Sequence, residues 1–386
     1  MKTEVDRILT THVGSLPRPN HLVEILRRED SGEPSKDAAT WLKISDAVNT
    51  CVKEQVSSGI DIVSDGEMSK MSYHVYAKHR LNGLDNVEKG EHTEQRRVLR
   101  DIQDFPEMLE ERIGGGGPEI LQQTMCTGPV SYSDHTPLRR DIENLKNAIL
   151  VEQPVGAFMN SVSPGCLTNY VPNGYYSGRD EYREALIEAM RPEYEAIYGA
   201  GFLLQLDCPD LAGSRHAEHQ NLTEKEFLRD AEKSVEALNA ATRNIPPEAM
   251  RMHICWLNYA GPHTHDIPVS RLIDLLSKAR PQTLLFEGAN PRHEHEWEDW
   301  ATADIPDNKI LVPGVIDSTS NFVEHPTLVA QRLCRYANIV GRDRVMGGVD
   351  CGFGTYAGRK AVYPSVVLAK FKSLAEGARI ATERLA

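Results

Sequence analysis

The chain has 386 residues, 40% of them hydrophobic, and its 43 Lys and Arg against 56 Asp and Glu leave a formal charge of -13. That length suits one barrel-sized domain with a large core, and an acidic surface repels phosphate backbones and anionic lipid, which argues against nucleic-acid or membrane partners. The opening MKTEVDRILTTHVGS has no apolar signal core, and seven scattered cysteines fit a reducing compartment better than a disulfide framework, so a cytoplasmic location is expected.

From the N-terminus onward, short β-branched runs alternate with amphipathic stretches, the pattern of βα units around a parallel sheet. Eight strands are predicted: Ile8–Ser15, Asp61–Glu67, Ala157–Ser163, Phe202–Asp207, Arg251–Trp256, Thr283–Glu287, Ile310–Asp317 and Val345–Cys351. Helices rich in Glu, Ala, Leu and Arg are predicted at Glu181–Gly199, Glu224–Ala241 and Ser270–Ala279. Eight such units imply an α/β fold of the (β/α)8 TIM-barrel class, one domain spanning 1–386. Residues 68–150, after the second strand, are too long for one helix and are expected to be an insertion. They hold a charged run, Glu94–Arg100, four consecutive glycines, Gly114–Gly117, and an extended run, Leu121–Val130, that suggests a hairpin. The insertion reads either as a solvated excursion or as a lid or dimer arm over the barrel mouth.

Most predicted strands end in chemically active residues, as the C-terminal face of such a barrel requires. His253 and Cys255 stand two apart on a strand, so alternation puts both side chains on one face. Glu287 and Cys351 end neighbouring strands, and two sulfurs, one nitrogen and one carboxylate make a tetrahedral zinc shell. Alone, the His-x-Cys pair also fits a core histidine beside a buried cysteine. Two thiolates neutralise Zn2+, so such a shell favours activating an incoming thiol over the water activation typical of His-rich sites.

Seven segments carry a family resemblance: TTHVGSLPRP (10–19), GIDIVSDGE (59–67), LLQLDCPDLA (203–212), MHICW (252–256), LFEG (285–288), PGVIDS (313–318) and GGVDCG (347–352). In order and spacing they resemble the catalytic barrel of cobalamin-independent methionine synthase; the second, N-terminal barrel of that family does not fit in this length. The resemblance implies zinc at His253, Cys255, Glu287 and Cys351. It implies a homocysteine-like thiol held by Gly14 and Ser15 at its carboxylate and by Glu67 and Asp207 at its ammonium, an arrangement that matches each charge with its complement. Structural roles stand beside these: a helix cap for Glu67 and a turn for Asp207. Two departures follow. Tyr170 replaces the Trp that stacks the folate ring, and Thr319 replaces the catalytic His that follows the Asp matching Asp317, which leaves a folate donor without its expected proton source.

Segments 252–268, 287–300 and 317–326 resemble the epoxyalkane:coenzyme M transferases of the same superfamily. Asp317, His263 and His265 are candidate catalytic residues, the histidines as proton donors or as a solvated loop. His293 and His295 suggest a charged helix face, and Cys208 a core position. Arg359 and Lys360 suit an anionic substrate or a solvated loop. The expectation is a zinc-dependent S-alkyltransferase joining a small thiol to a methylfolate-like or epoxide donor, in a chain able to form homo-oligomers. A metal-free decarboxylase like uroporphyrinogen decarboxylase and a binding protein stapled by zinc are the alternatives.

Overall fold

The computed structural model describes residues 6–33, 37–87, 99–108, 123–359 and 361–386. Six parallel strands form one curled sheet in the order β1, β4, β5, β6, β7, β8: β1 Ile62–Val63, β4 Gly156–Val162, β5 Leu203–Asp207, β6 Met250–His253, β7 Thr283–Phe286 and β8 Ile310–Pro313. These strands are almost wholly buried, as strands covered on both faces must be. The predicted first and last strands survive only as isolated parallel bridges. Leu311 pairs with Val345, Gly314 with Gly348, Gly347 with Thr10, and Thr11 with Ile62. Those four contacts run from β8 through residues 345–348 and 10–11 back to β1.

The helices between strands turn apolar faces to the sheet. Glu224–Ala241 starts in a capping box: Thr223 and Glu226 each bond the other's backbone N–H. It buries Phe227, Ala231, Val235 and Leu238. Arg179–Gly199 and Ile273–Lys278 occupy the other two predicted helical stretches. No helix among the described residues is long and apolar enough to cross a membrane.

Within 68–150 an antiparallel ribbon joins β2, Leu81–Val87, to β3, Gln123–Tyr132, so the expected extended run is one arm of a long-range hairpin. The run Gly114–Gly117 and most of Glu94–Arg100 lie outside the described residues. Glu193, on the helix Arg179–Gly199, roots the ribbon. Its carboxylate is wholly buried and accepts from Tyr76 Oη (2.6 Å), Ser161 Oγ (2.7 Å), Tyr132 Oη (2.7 Å) and Arg80 Nη1 (3.1 Å). Tyr132 and Arg80 belong to the ribbon and its entry, Ser161 to β4. One carboxylate thus ties insertion to sheet.

Beneath the C-terminal ends of the strands the interior is polar and extensively hydrogen-bonded. Arg251 lies over the Phe158 ring, 3.9 Å from its centre, and donates to Thr11 Oγ1 and His12 O. His12 Nε2 meets Gln55 Oε1 at 2.7 Å, and its Nδ1 accepts from Gly14 N–H. This packed floor leaves the strand ends as the place where side chains can face a ligand.

Candidate metal centre

Register sets the height of the site. Asp207 pairs with His253, His253 with Leu285, and Phe286 with Pro313, so Cys255 and Glu287 sit just beyond the ends of adjacent strands. Gly314 pairs with Gly348 on the far side, which carries Cys351 to the same level. One donor atom from each of His253, Cys255 and Cys351 falls within a sphere of mutual distances no greater than 4.8 Å, and all three residues are buried. The two sulfurs are 3.5 Å apart. Two soft sulfurs and an imidazole, two of them from the end of β6 and one from the segment after Gly348, form a donor set suited to a thiophilic d10 cation.

Without a cation this cluster is charged in an unusual way. Burial disfavours the His253 imidazolium, but hydrogen bonds to Asp207 and Cys351 outweigh it and raise its pKa. The Cys351 thiol is pulled down, first by the Cys255 hydrogen bond and against burial, then by His253. Cys255 is pushed up by the same Cys351 interaction and by burial. A cation binding here would displace the protons held by His253 and Cys255 and take the nitrogen and both sulfurs as ligands.

Glu287, the fourth predicted ligand, is brought beside the cluster but not into it. Its Oε1 accepts from Trp256 N–H at 2.9 Å and its Oε2 from Asn290 Nδ2 at 2.8 Å. Burial raises its pKa, with His293 acting against it and Asp350 and Cys351 adding to it. Its loop is held by a residue the sequence reading passed over. Asp350 accepts from the N–H groups of Gly288, Ala289 and Asn290 at 2.8–2.9 Å and from Asn290 Nδ2 at 3.0 Å. Alternation on the last strand turns Asp350 toward that loop while Cys351 faces the cluster. An acid immediately before a ligand was the available signal.

The predicted thiol-binding residues gather nearby. Asp207 Oδ1 is 3.7 Å from His253 Nδ1, where a carboxylate orients a metal-binding imidazole; Asp207 also accepts from Asn160 Nδ2 and Gln205 Nε2, both at 3.0 Å. Glu67 is buried at φ +57°, a strained conformation for a non-glycine residue. Its Oε2 lies 3.1 Å from the buried Arg18 guanidinium. Burial raises the Glu67 pKa against the pull of Arg18 and Lys70, and Asp207 is close enough to add to the rise. Ser15 Oγ fills the space that a side chain at Gly352, next to Cys351, would need. Gly14 has φ +132°, and any side chain there would strike Asn160. Its N–H is already given to His12.

The remaining candidates divide. Half-buried Tyr170 packs against His74 with ring centres 5.5 Å apart and planes tilted by 33°, and Cys255 is among the groups that raise its pKa after burial, Glu218 and Cys166. His263 is not placed as a donor: Nδ1 meets Asp266 at 2.9 Å and Nε2 meets Tyr259 O at 2.9 Å. His265 pairs with Asp104 at 2.6 Å. Asp317 Oδ1 accepts both the N–H and the hydroxyl of Thr319, each at 2.8 Å. The expected charged face at His293 is a buried wall instead. His293 packs on Trp256 with ring centres 4.4 Å apart and bonds Asp266 and Glu296. Cys208 is core, as expected.

Comparison with known proteins reaches the whole chain. It is 23% identical over 388 residues to a protein named methionine synthase from Sulfolobus acidocaldarius, covering 100% of this chain and 95% of that one. A methionine synthase from Saccharolobus solfataricus is 24% identical over 381 residues, covering 97% and 95%. Among solved structures, a B12-independent methionine synthase from Shewanella sp. W3-18-1 in complex with selenomethionine matches with a TM-score of 0.68 at 19% identity, covering 98% of this chain and 99% of that one. A putative vitamin-B12 independent methionine synthase from Listeria monocytogenes gives 0.64 at 18%, covering 97% and 98%. No family model matches. The resemblance to the cobalamin-independent methionine synthase superfamily read from seven motifs therefore extends from end to end, and the fold is shared.

Proposed function

We propose that this chain is a zinc-dependent S-methyltransferase that converts a small amino thiol of the homocysteine type into its thioether. The observation that carries the reading is the convergence of His253 and Cys255, at the end of β6, with Cys351, about a hundred residues later in the chain, within 4.8 Å. Names of the full-length relatives support the transferase class. We further propose that the bridges through residues 10–11 and 345–348 close the sheet as an eightfold barrel, a single domain with 68–150 inserted after its second strand.

Zinc held by His253, Cys255 and Cys351, with Glu287 as an exchangeable fourth donor, would act as a Lewis acid that lowers the pKa of an incoming thiol. The protein's own groups do the rest. Asp207 fixes the His253 ring. Asp350 holds the Glu287 loop, so that Glu287 can yield its place without the loop losing its anchor. Glu67 and Asp207 set two carboxylates where an ammonium would bind, and Ser15 borders the Cys351 side. Sulfur attacks the methyl carbon, the S–C bond forms, and the bond from that carbon to the departing group breaks.

A second reading, thiol addition to an epoxide, is favoured by one observation. Thr319 spends both its donors on Asp317, so the position that resembles the family's histidine cannot protonate a departing amine. In epoxide opening, ring strain drives the C–O bond to break, and the oxygen stays on the product as an alkoxide that takes its proton from solvent.

Metal content, X-ray absorption with and without homocysteine, and product mass spectrometry with methyl and epoxide donors test the proposal. One metal per chain gaining a sulfur neighbour on thiol addition is expected. Full activity after chelation, or a metal shell that no thiol enters, refutes it. Loss of folding on chelation without any thiol effect would instead mark a structural staple, and a protein that purifies without metal and decarboxylates would return the decarboxylase alternative.

A further inference from the structure

Two buried side-chain amides flank Asp207, and their orientation is forced. Asn160 and Gln205 are register partners on β4 and β5, and Asn160 is only 2% exposed. Asn160 Nδ2 donates to Val13 O at 2.9 Å and to Asp207 Oδ2 at 3.0 Å. Gln205 Nε2 donates to Val13 O and to Asp207 Oδ1. Turning either amide over would set its oxygen against two acceptors, so each nitrogen stays on Asp207 and each oxygen is sent the other way. Neither oxygen has a partner among the described residues. A buried acceptor left in this state is costly, and a ligand that donates to it recovers the cost on binding.

The two oxygens differ in what stands beside them. Register sets Arg251 next to Gln205, and Arg251 Nε is also without a partner, so a small shift lets that pair satisfy each other. Asn160 Oδ1 lies instead against Gly14, in the space that a side chain there would fill. It therefore stands between the Gly14–Ser15 turn and the Asp207 carboxylate. Lys70 ties the same residue to the turn of Glu67: its Nζ donates to Asn160 O at 2.7 Å and its N–H to Glu67 O at 3.0 Å. That ammonium lies over the Tyr76 ring and does not serve Oδ1.

Resting on the function proposed above, we propose that Asn160 is a specificity-determining residue whose Oδ1 accepts a hydrogen bond from the amino group of the thiol substrate. An ammonium carries three donors, and Glu67, Asp207 and Asn160 Oδ1 take one each. The amide oxygen adds recognition without adding a third negative charge to the two carboxylates. The site thus selects thiols that carry an amine. It turns away thiols whose other charged group is only anionic, such as a sulfonate, because that group would face two carboxylates and a lone pair.

The test reads thiol affinity from the sulfur-to-cobalt charge-transfer band of the cobalt-loaded protein, for the wild type, Asn160→Leu and Asn160→Ser. Three thiols are compared: homocysteine, 3-mercaptopropylamine, which lacks the carboxylate, and 4-mercaptobutyrate, which lacks the amine. The wild type should bind both amines more tightly than 4-mercaptobutyrate. In each variant the two amines should lose about 10- to 100-fold more affinity than 4-mercaptobutyrate does, the worth of a hydrogen bond to a charged group; whatever is lost through Asp207 is common to all three thiols and cancels in that ratio. Equal losses for all three would mean that Asn160 only holds Asp207, and no loss for any that its oxygen serves water; either overturns the proposal. If neither variant keeps the circular dichroism and metal content of the wild type, a crystal of the zinc-loaded wild type with homocysteine decides. An amino nitrogen within about 3.2 Å of Asn160 Oδ1 is expected, and a longer distance, or a water in its place, refutes the assignment. Failure of the function itself looks different: the wild type then gives no band with any thiol, whereas a band without preference for amines sinks only the role of Asn160.

Discussion

Replacing Glu193 by Gln should weaken the protein at neutral pH by about 3 kcal/mol, and the loss should fade in acid. Burial opposes the Glu193 charge, but Arg80, Lys70 and the hydroxyls of Tyr76 and Tyr132 prevail and bring its pKa from 4.5 to about 2. At about 1.36 kcal/mol per pKa unit, that fall is worth roughly 3 kcal/mol of folding free energy. The figure agrees with the roughly 3–5 kcal/mol lost when one partner of a buried ion pair is removed. Because the folded pKa is depressed, the contribution is complete above the unfolded value near 4.5 and disappears as pH falls toward 2. Urea unfolding of both proteins at a series of pH values between 2 and 7 measures the difference, which cancels every other titrating group. A wild-type advantage below about 1 kcal/mol at pH 7, or one that stays constant down to pH 2, would show that this carboxylate does not anchor the insertion.

Three other outcomes are expected. Cys351→Ala should abolish stoichiometric metal binding, measured by elemental analysis, while circular dichroism stays that of the wild type. Asp350→Ala, which removes a carboxylate that bonds none of the three clustered donors but strands three loop N–H groups, should lower metal affinity by about 10- to 100-fold, read by competition with a chromophoric chelator. Gly14→Ala should cost more than about 1 kcal/mol, because φ is +132° and the new Cβ strikes Asn160; the displaced Asn160 would also release Asp207, so metal affinity should fall with stability.

Much of this was legible because strands parallel to one another place chemistry at one end. HICW on a hydrophobic run, Glu after LLF and Cys after GGVD are local patterns, and the parallel register brings their ends to one level. Glu287 shows the limit of such reading: its position was foreseen, but its present hydrogen bonds to Trp256 and Asn290 are set by loop geometry that no spacing encodes. His263 and His293 sit in stretches as polar as any loop, yet both are drawn inward by Asp266, which His263 meets within its own loop and His293 reaches from a second chain segment. Residues 8–15 and 345–351 read as full strands from β-branched content, but pair only through single bridges, two of them at Gly347 and Gly348 themselves, and the chain turns at Gly14, where φ is +132°. Glu193 and Arg80 are 113 residues apart, and in sequence each resembles any surface charge.

Ser72 bridges Tyr356 in antiparallel fashion and Ala357 N–H donates to Met71 O at 2.8 Å, a stitch between the start of the insertion and the loop after Cys351 that has a practical consequence for chimeras. Exchanging the insertion alone between related proteins would pair a foreign edge with the native loop behind Cys351, and mismatched backbone there would be felt at the metal. The two segments form one transplantable cassette despite the long stretch of chain between them, and recombination libraries should keep their crossover points outside both.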